Sequence, residues 1–328
     1  MNKPASNAVS LLGGSGFIGR SLANRLLSQG KHLRILTRNR EHARAAWLLP
    51  NVDVVELNSY DSSTLSNALK SSTAVVNLIG ILNEGRDNGA GFRAAHVDIT
   101  RNLAQACKMA RVPHLVQMSA LNADSFADSY YLRSKGEAEK LLVDAVSTEF
   151  RVSILRPSIV FGREDSFTNR FAQLLQLSPG ILPLARADAK FQPVYVGDVS
   201  MAIEKILAQN GSGVERYDIG GPEVVEFGEC VRWIANLIGS RTRVLPLNRF
   251  FSAVQANVLE YVPGKPFSRD NLRSLQTNSV CTQTNGLARL GINPRPMSEI
   301  VPLYLGTDTS RQRLYRLRAN RGRDASGT

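Results

Sequence analysis

Residues 13–19 read "GGSGFIG", between an apolar run, "AVSLL" at 8–12, and an amphipathic stretch from about Ser15 to Gly30. Gly13, Gly16 and Gly19 fall in GxxGxxG spacing. A tight strand-to-helix turn needs a residue without Cβ, a second glycine lets the backbone approach a pyrophosphate, and a third lets the helix pack close to the sheet. Ser15, Phe17 and Ile18 complete a loop in which the helix N-terminus faces the anion. Glycines serving packing alone are the other reading. The position of the triplet, after the first strand and before the first helix, favours the dinucleotide site.

The chain then repeats the same unit. Strand-like segments "HLRILTR" (32–38), "VDVVEL" (52–57), "TAVVNLIG" (73–80) and "HLVQMSA" (114–120) alternate with helical patterns near 40–48, 61–71 and 91–111. Repeated βα units imply right-handed crossovers and a parallel sheet covered on both faces. The expectation is α/β, a doubly wound (Rossmann) sheet with a smaller C-terminal lobe on the substrate side. Residues 1–150 form the dinucleotide-binding core in this reading. Residues 151–306 complete the sheet and build the lobe, with "VERYDIGG" (214–221) and a helix at 226–238 assigned to the lobe, and 307–328 form a basic tail.

The length of 328 residues and 43% hydrophobic content suffice for an ordinary globular core. The longest apolar stretch, "AVVNLIGIL" at 74–82, is short and broken by Asn77, so no transmembrane helix is expected. The start lacks the apolar core of a secretory signal, which places the chain in the cytoplasm. Cys107, Cys230 and Cys281 are scattered, and the four histidines show no ligand spacing, so neither a disulfide framework nor a metal site is expected.

The net charge of +12 is uneven: from residue 241 onward 14 Lys and Arg face 5 Asp and Glu. The extreme is "RQRLYRLRANRGR" at 311–323, suited to anionic lipid or an acidic protein surface, or to plain solvation. No RNA-binding motif or array of stacking aromatics accompanies it, so nucleic acid is the least favoured partner. "FSAVQANVLEYV" (251–262) is either an amphipathic core helix or a stretch that rests on a membrane or partner.

At the end of the second strand, where an NAD site places an acid for the ribose 2′-hydroxyl, this chain has "LTRNR". Arg38, with Arg40 close by, suits a 2′-phosphate, so NADP(H) is favoured over NAD(H) unless Arg38 simply faces water. In "ADSYYLRSK" (127–135), Tyr131 and Lys135 stand one helical turn apart, with Ser119 twelve residues upstream.

"LLGGSGFIGRSLANRLLSQG", "YLRSK", "ILRPSIVFG", "FQPVYVGDV" and "YDIGGPEVVEF" together resemble the extended and atypical short-chain dehydrogenase/reductases, the NAD-dependent epimerase/dehydratase superfamily. The stretch around "RPSIVFGREDSFTNRFAQLL" and "FQPVYVGDVSMAI" looks more narrowly like the NADH:ubiquinone oxidoreductase alpha-subcomplex subunit nine family of respiratory complex I. The resemblance implies that Asn58 lies beside the adenine, Gly80 passes the nicotinamide ribose, and Pro157 and Ser158 flank the nicotinamide end. It further implies that Lys135 lowers the phenol pKa of Tyr131 for proton exchange, while Ser119 holds the substrate oxygen and hydride passes to or from the nicotinamide. His96 stands where active relatives often carry Asn, and the subunit nine family is regarded as holding NADPH without a known reaction.

Two function classes remain. One is a binding protein that keeps NADP(H) as a structural cofactor in a respiratory or quinone-related complex at the membrane. The other is a soluble NAD(P)-dependent reductase, epimerase or dehydratase using Ser119, Tyr131 and Lys135.

Overall fold

The structure, a computed structural model, describes residues 8–46, 49–178, 180–262 and 265–306. Seven parallel strands form the central sheet: β1 (Ala8–Leu12), β2 (Leu33–Thr37), β3 (Val52–Glu56), β4 (Ser72–Asn77), β5 (His114–Met118), β6 (Arg151–Pro157) and β7 (Val214–Ile219). Their order across the sheet is β7-β6-β5-β4-β1-β2-β3, so the chain reverses direction between β1 and β4. Ligands of open α/β sheets bind at such a switch point, beyond the carboxyl ends of the strands.

The inner strands are apolar on both faces because helices cover both. In β1, Leu11 points to one core layer with Leu22, Leu26 and Ile203, and its neighbour Leu12 to the other with Leu65, Leu103 and Cys107. Val75 and Val76 in β4, and Leu115 and Val116 in β5, split the same way, as the period of two requires. Cys107 and Cys230 are buried and free.

Four helices position the site: α1 (Phe17–Ser28), α2 (Ser62–Leu69), α3 (Ile99–Ala110) and α4 (Tyr130–Ala145). The helix expected near 40–48 is a 3-10 helix, Arg40–Ala46. Two expectations need correction. The long helix expected at 91–111 is interrupted by a π-helical turn, Arg93–Asp98, ahead of α3. "VERYDIGG" supplies β7, which pairs with β6 from Val214↔Val152 to Ile219↔Pro157 and so belongs to the central sheet, not the lobe.

The lobe has its own core. Phe167, Phe171, Phe191 and Phe227 pack ring on ring, with centroids 5.2–6.2 Å apart. Among the described residues no helix is long and apolar enough to cross a membrane, and no group of three or more His, Cys, Asp or Glu could hold a metal ion. The arginine run at 311–323 lies outside the described residues.

Candidate functional site: a glycine cradle and a divided triad

The turn after β1 closes as its spacing predicts. Gly13 takes φ +74°, and a Cβ there would stand 2.9 Å from the Leu78 carbonyl carbon. The Gly16 N–H donates to Gly13 O at 3.0 Å, and Gly16 is the N-cap of α1. At Gly19 a Cβ would lie 2.5 Å from Gly13 O, so only glycine lets helix and turn meet. No side chain caps α1 and no acid sits in its first turn. A cradle free of Cβ atoms under an uncapped helix start fits the diphosphate of a nicotinamide dinucleotide. Ser15 O accepts a hydrogen bond from Arg20, the Phe17 ring lies against Gly162, and Ile18 packs onto the core beneath.

Arg38 leaves the end of β2 exposed, its guanidinium 5.5 Å from the centre of the Tyr60 ring. Burial raises the Tyr60 pKa, and Arg38 partly offsets that rise. Asn58 is exposed just past β3. The nearby acid, Asp61, is occupied as the cap of α2, accepting from Ser63 N at 3.0 Å and Thr64 N at 2.9 Å.

α4 carries both Tyr131 and Lys135 on one face. Its start is held from far along the chain: Asp270 accepts from Tyr130 N at 2.7 Å, Tyr131 N at 3.0 Å and Ser129 Oγ at 2.9 Å. Lys135 Nζ donates to Met118 O at 3.1 Å. It also lies 3.4 Å from where a Gly80 Cβ would stand, which puts Gly80 beside Lys135. Tyr130, one residue off this face, is stacked between Arg133 and Arg273.

Next to Tyr131 the π-helical turn presents His96. Its ring meets Tyr131 edge-on at 5.6 Å and stacks on Phe92 at 5.8 Å. Nε2 accepts from the Ile81 N–H at 3.1 Å, which leaves the proton on Nδ1 to donate to Ser134 Oγ at 2.8 Å, and Ser134 in turn donates to Tyr131 O at 2.8 Å. Burial, reinforced by Lys135, pushes the His96 pKa down to about 2, so the ring is neutral. One side chain thus ties the Gly80–Ile81 loop to the helix that bears Tyr131.

Ser119 has a partner the spacing does not reveal. Its hydroxyl donates to Glu139 Oε1 at 2.5 Å, and Arg156 Nε holds both oxygens of that carboxylate at 2.9 and 3.1 Å. Both Ser119 and Glu139 are buried. Without nucleotide, burial pushes the Tyr131 pKa up to about 12. Burial brings Lys135 down to about 8, with the Glu139 charge opposing that shift, while its ammonium donates to Met118 O.

Ser158 follows β6 but faces the lobe, donating to Ser279 O at 2.7 Å and accepting from Gln192 N at 3.1 Å. Pro157 O accepts from Leu121 N at 3.1 Å. The residues sequence reasoning missed are Glu139, Arg156, Ser134 and Asp270. Glu139 carried a signal, one turn beyond Lys135 on the same helix; Asp270, 140 residues from its partner Tyr130, carried none.

Comparison with known proteins gives a concordant result. A family model described as NAD(P)H-binding matches residues 13–173. The rat protein named NADH dehydrogenase [ubiquinone] 1 alpha subcomplex subunit 9, mitochondrial, is 30% identical over 295 residues, covering 88% of this chain and 76% of the relative. The chain belongs to the complex I alpha-subcomplex subunit 9 family. It is therefore an NAD(P)-binding Rossmann protein, related also to epimerases and reductases. Solved structures share its fold, and two of them illustrate the range. One is MoeE5 in complex with UDP-glucose and NAD, at TM-score 0.69 and 20% identity, covering 94% of this chain and 99% of that one. The other is the NADPH-dependent quinone oxidoreductase QOR2 complexed with NADPH from Escherichia coli, at TM-score 0.70 and 16% identity, covering 89% and 97%.

Proposed function

We propose that this chain holds NADP(H) as a structural cofactor and serves in a respiratory or quinone-related complex at the membrane. The observation that carries the reading is the hydrogen bond from Ser119 to Glu139. A hydroxyl has one proton to donate, and here it goes to a buried carboxylate clamped by Arg156. A substrate carbonyl would find an acceptor where the reaction needs a donor. Gly13, Ser15, Gly16, Phe17, Ile18 and Gly19 would cradle the diphosphate, with Asn58 beside the adenine. Lys135 and Gly80 would meet the nicotinamide ribose, with Tyr131, Pro157 and Ser158 at the nicotinamide end.

NADP(H) over NAD(H) rests on Arg38, exposed at the end of β2 with the ring of Tyr60 beside it. A ligand bound only by the folded state adds about 2.7 kcal/mol of stability at a hundredfold excess over Kd, enough to make the nucleotide a staple of the fold. The arginine run at 311–323 would contact anionic lipid, placing the protein at the cytoplasmic face of a membrane. The relatives named as subunits of NADH dehydrogenase support the assembly role.

A second reading, a soluble reductase or epimerase, draws on Tyr131 and Lys135 sharing one face of α4 beside Gly80. The test identifies the nucleotide released from the purified full-length chain and follows absorbance at 340 nm with a panel of aldehydes, ketones and short-chain quinones. The structural-cofactor reading predicts bound NADP(H) and no oxidation. Turnover that vanishes in Tyr131→Phe would establish the enzyme instead.

A further inference from the structure

A segment from the C-terminal part of the chain crosses to the nucleotide domain and grips two of its elements at once. It runs from Lys265 to Ser274 and ends in the short helix Arg269–Ser274. On one side it holds the loop after β4. Lys265 Nζ donates to Glu84 O at 2.8 Å and Gly85 O at 2.6 Å, Asn83 Nδ2 donates back to Lys265 O at 3.3 Å, and Asn271 Nδ2 donates to Leu82 O at 3.3 Å. On the other side buried Asp270 takes the donors at the start of α4, from Ser129, Tyr130 and Tyr131. Arg273 joins the two: it pairs with Asp87 of the loop and, at 3.1 Å, with Asp270, and its guanidinium lies 4.9 Å from the centre of the Tyr130 ring.

The loop behaves as one piece with the site. The Glu84 carboxylate accepts from the N–H groups of Asn88, Gly89 and Gly91 at 3.0, 2.6 and 2.9 Å, which fixes the loop to the turn that presents His96. His96 in turn reaches Ile81, next to Gly80, and Ser134 on α4. The strap itself is strained where it meets the loop. Lys265 takes φ +39°, a left-handed conformation that a residue with a side chain holds only when its surroundings fix it. They do so here through its Nζ and through its carbonyl, which also accepts from Arg170 at 3.1 Å. Among the described residues Asn83 Oδ1 is buried at this contact without a partner. Strain and an unmet acceptor both favour opening, so the pairs at Asp87 and Asp270 carry the closure. Those two carboxylates are only 9 and 3% exposed, which limits screening by salt.

We propose that Lys265–Ser274 is a latch that sets how long the nucleotide stays bound, with Asp87, Asp270 and Arg273 as its positioning residues. This rests on the nucleotide reading of the site. The nicotinamide end would lie between Gly80 and Tyr131, so a nucleotide leaving there parts the two elements that the strap joins. Loss of a buried charge pair then acts on release more than on binding.

Release of NADPH from the loaded full-length protein, followed by its fluorescence with excess NADP+ as competitor, tests this. Asp87→Asn and Arg273→Gln should each speed release at least about tenfold and leave the association rate within about twofold. The double variant should release no faster than the faster single, because both remove one contact. Should either of them fail to fold, Lys265→Met decides, since it keeps the side-chain stem and loses the donors to Glu84 and Gly85; release about tenfold faster is again expected. Arg25→Ala, which breaks the ion pair with Glu204 in the last turn of α1, is the control and should lower thermal stability without changing release. Release at the parent's rate in the strap variants overturns the latch and leaves the nucleotide reading standing. Equal acceleration in Arg25→Ala overturns it too, because release would then follow general stability. A parent that takes up no NADPH overturns the nucleotide reading, and the latch with it.

Discussion

Ser119 donates its hydroxyl proton to Glu139 across 2.5 Å in the buried space between β5 and α4. Arg156, from the end of β6, holds the same carboxylate through its Nε. Three elements thus meet on one acid, and the serine is part of that junction.

Removing the acid should therefore cost stability more than removing the serine. Glu139→Ala leaves Arg156 half-buried without its close partner, and about 3 kcal/mol of folding free energy is expected to go. Ser119→Ala, which loses one hydrogen bond, should cost only about 1 kcal/mol. Denaturant unfolding of both variants checks the order, and equal losses would show that the carboxylate is not the centre of the junction.

Gly19→Ala would press a methyl group to 2.5 Å from Gly13 O and 2.6 Å from the Gly14 backbone. The turn must open to admit it. We expect a loss of about 1–3 kcal/mol, as for other overpacked sites, with nucleotide affinity falling at the same time. Thermal unfolding with and without NADPH separates the two effects.

Arg38→Ala should weaken NADPH about 10–100-fold, the worth of a hydrogen bond to a charged group, and leave NADH nearly unchanged. Fluorescence titration with both nucleotides measures the difference directly. Equal weakening would refute the 2′-phosphate assignment.

Acid should destabilise the fold early, through two neutral histidines. Burial holds His96 at about 2 and His114 at about 3, both well below the ordinary 6.5. Because the folded-state values are depressed, the unfolded chain takes up these protons first, so stability is full above pH 6.5 and falls below it. Each histidine contributes a slope of about 1.4 kcal/mol per pH unit between its two values. Unfolding measured from pH 7.5 to 5.5 should show this loss, and His96→Gln should reduce the slope by one proton.

The parts of this molecule that were legible in the sequence are the local ones. The Gly13, Gly16 and Gly19 spacing encodes steric limits within seven residues, and each limit is met. β1, β2, β4 and β5 announced themselves because both faces of each are covered, which leaves largely apolar runs. Tyr131 and Lys135 share a helix, so their common face came from the period alone. The partner of Ser119 escaped because it is chosen by the crossing of α4 over β5 and β6, which no spacing reveals. The π-helical turn at Arg93–Asp98 escaped for a similar reason: the bonds His96 makes to Ile81 and Ser134 hold it, and they come from other elements. β7 was misplaced because its pattern, "VERYDI", is half polar as an edge strand permits.

The rate at which NADPH leaves the native full-length protein tests the central claim most directly, with released nucleotide trapped by an excess of NADP-consuming enzyme. A structural cofactor predicts near-stoichiometric NADP(H) after purification and release slow on the scale of hours. Release within seconds, with oxidation of the bound nucleotide by a carbonyl compound, would contradict it.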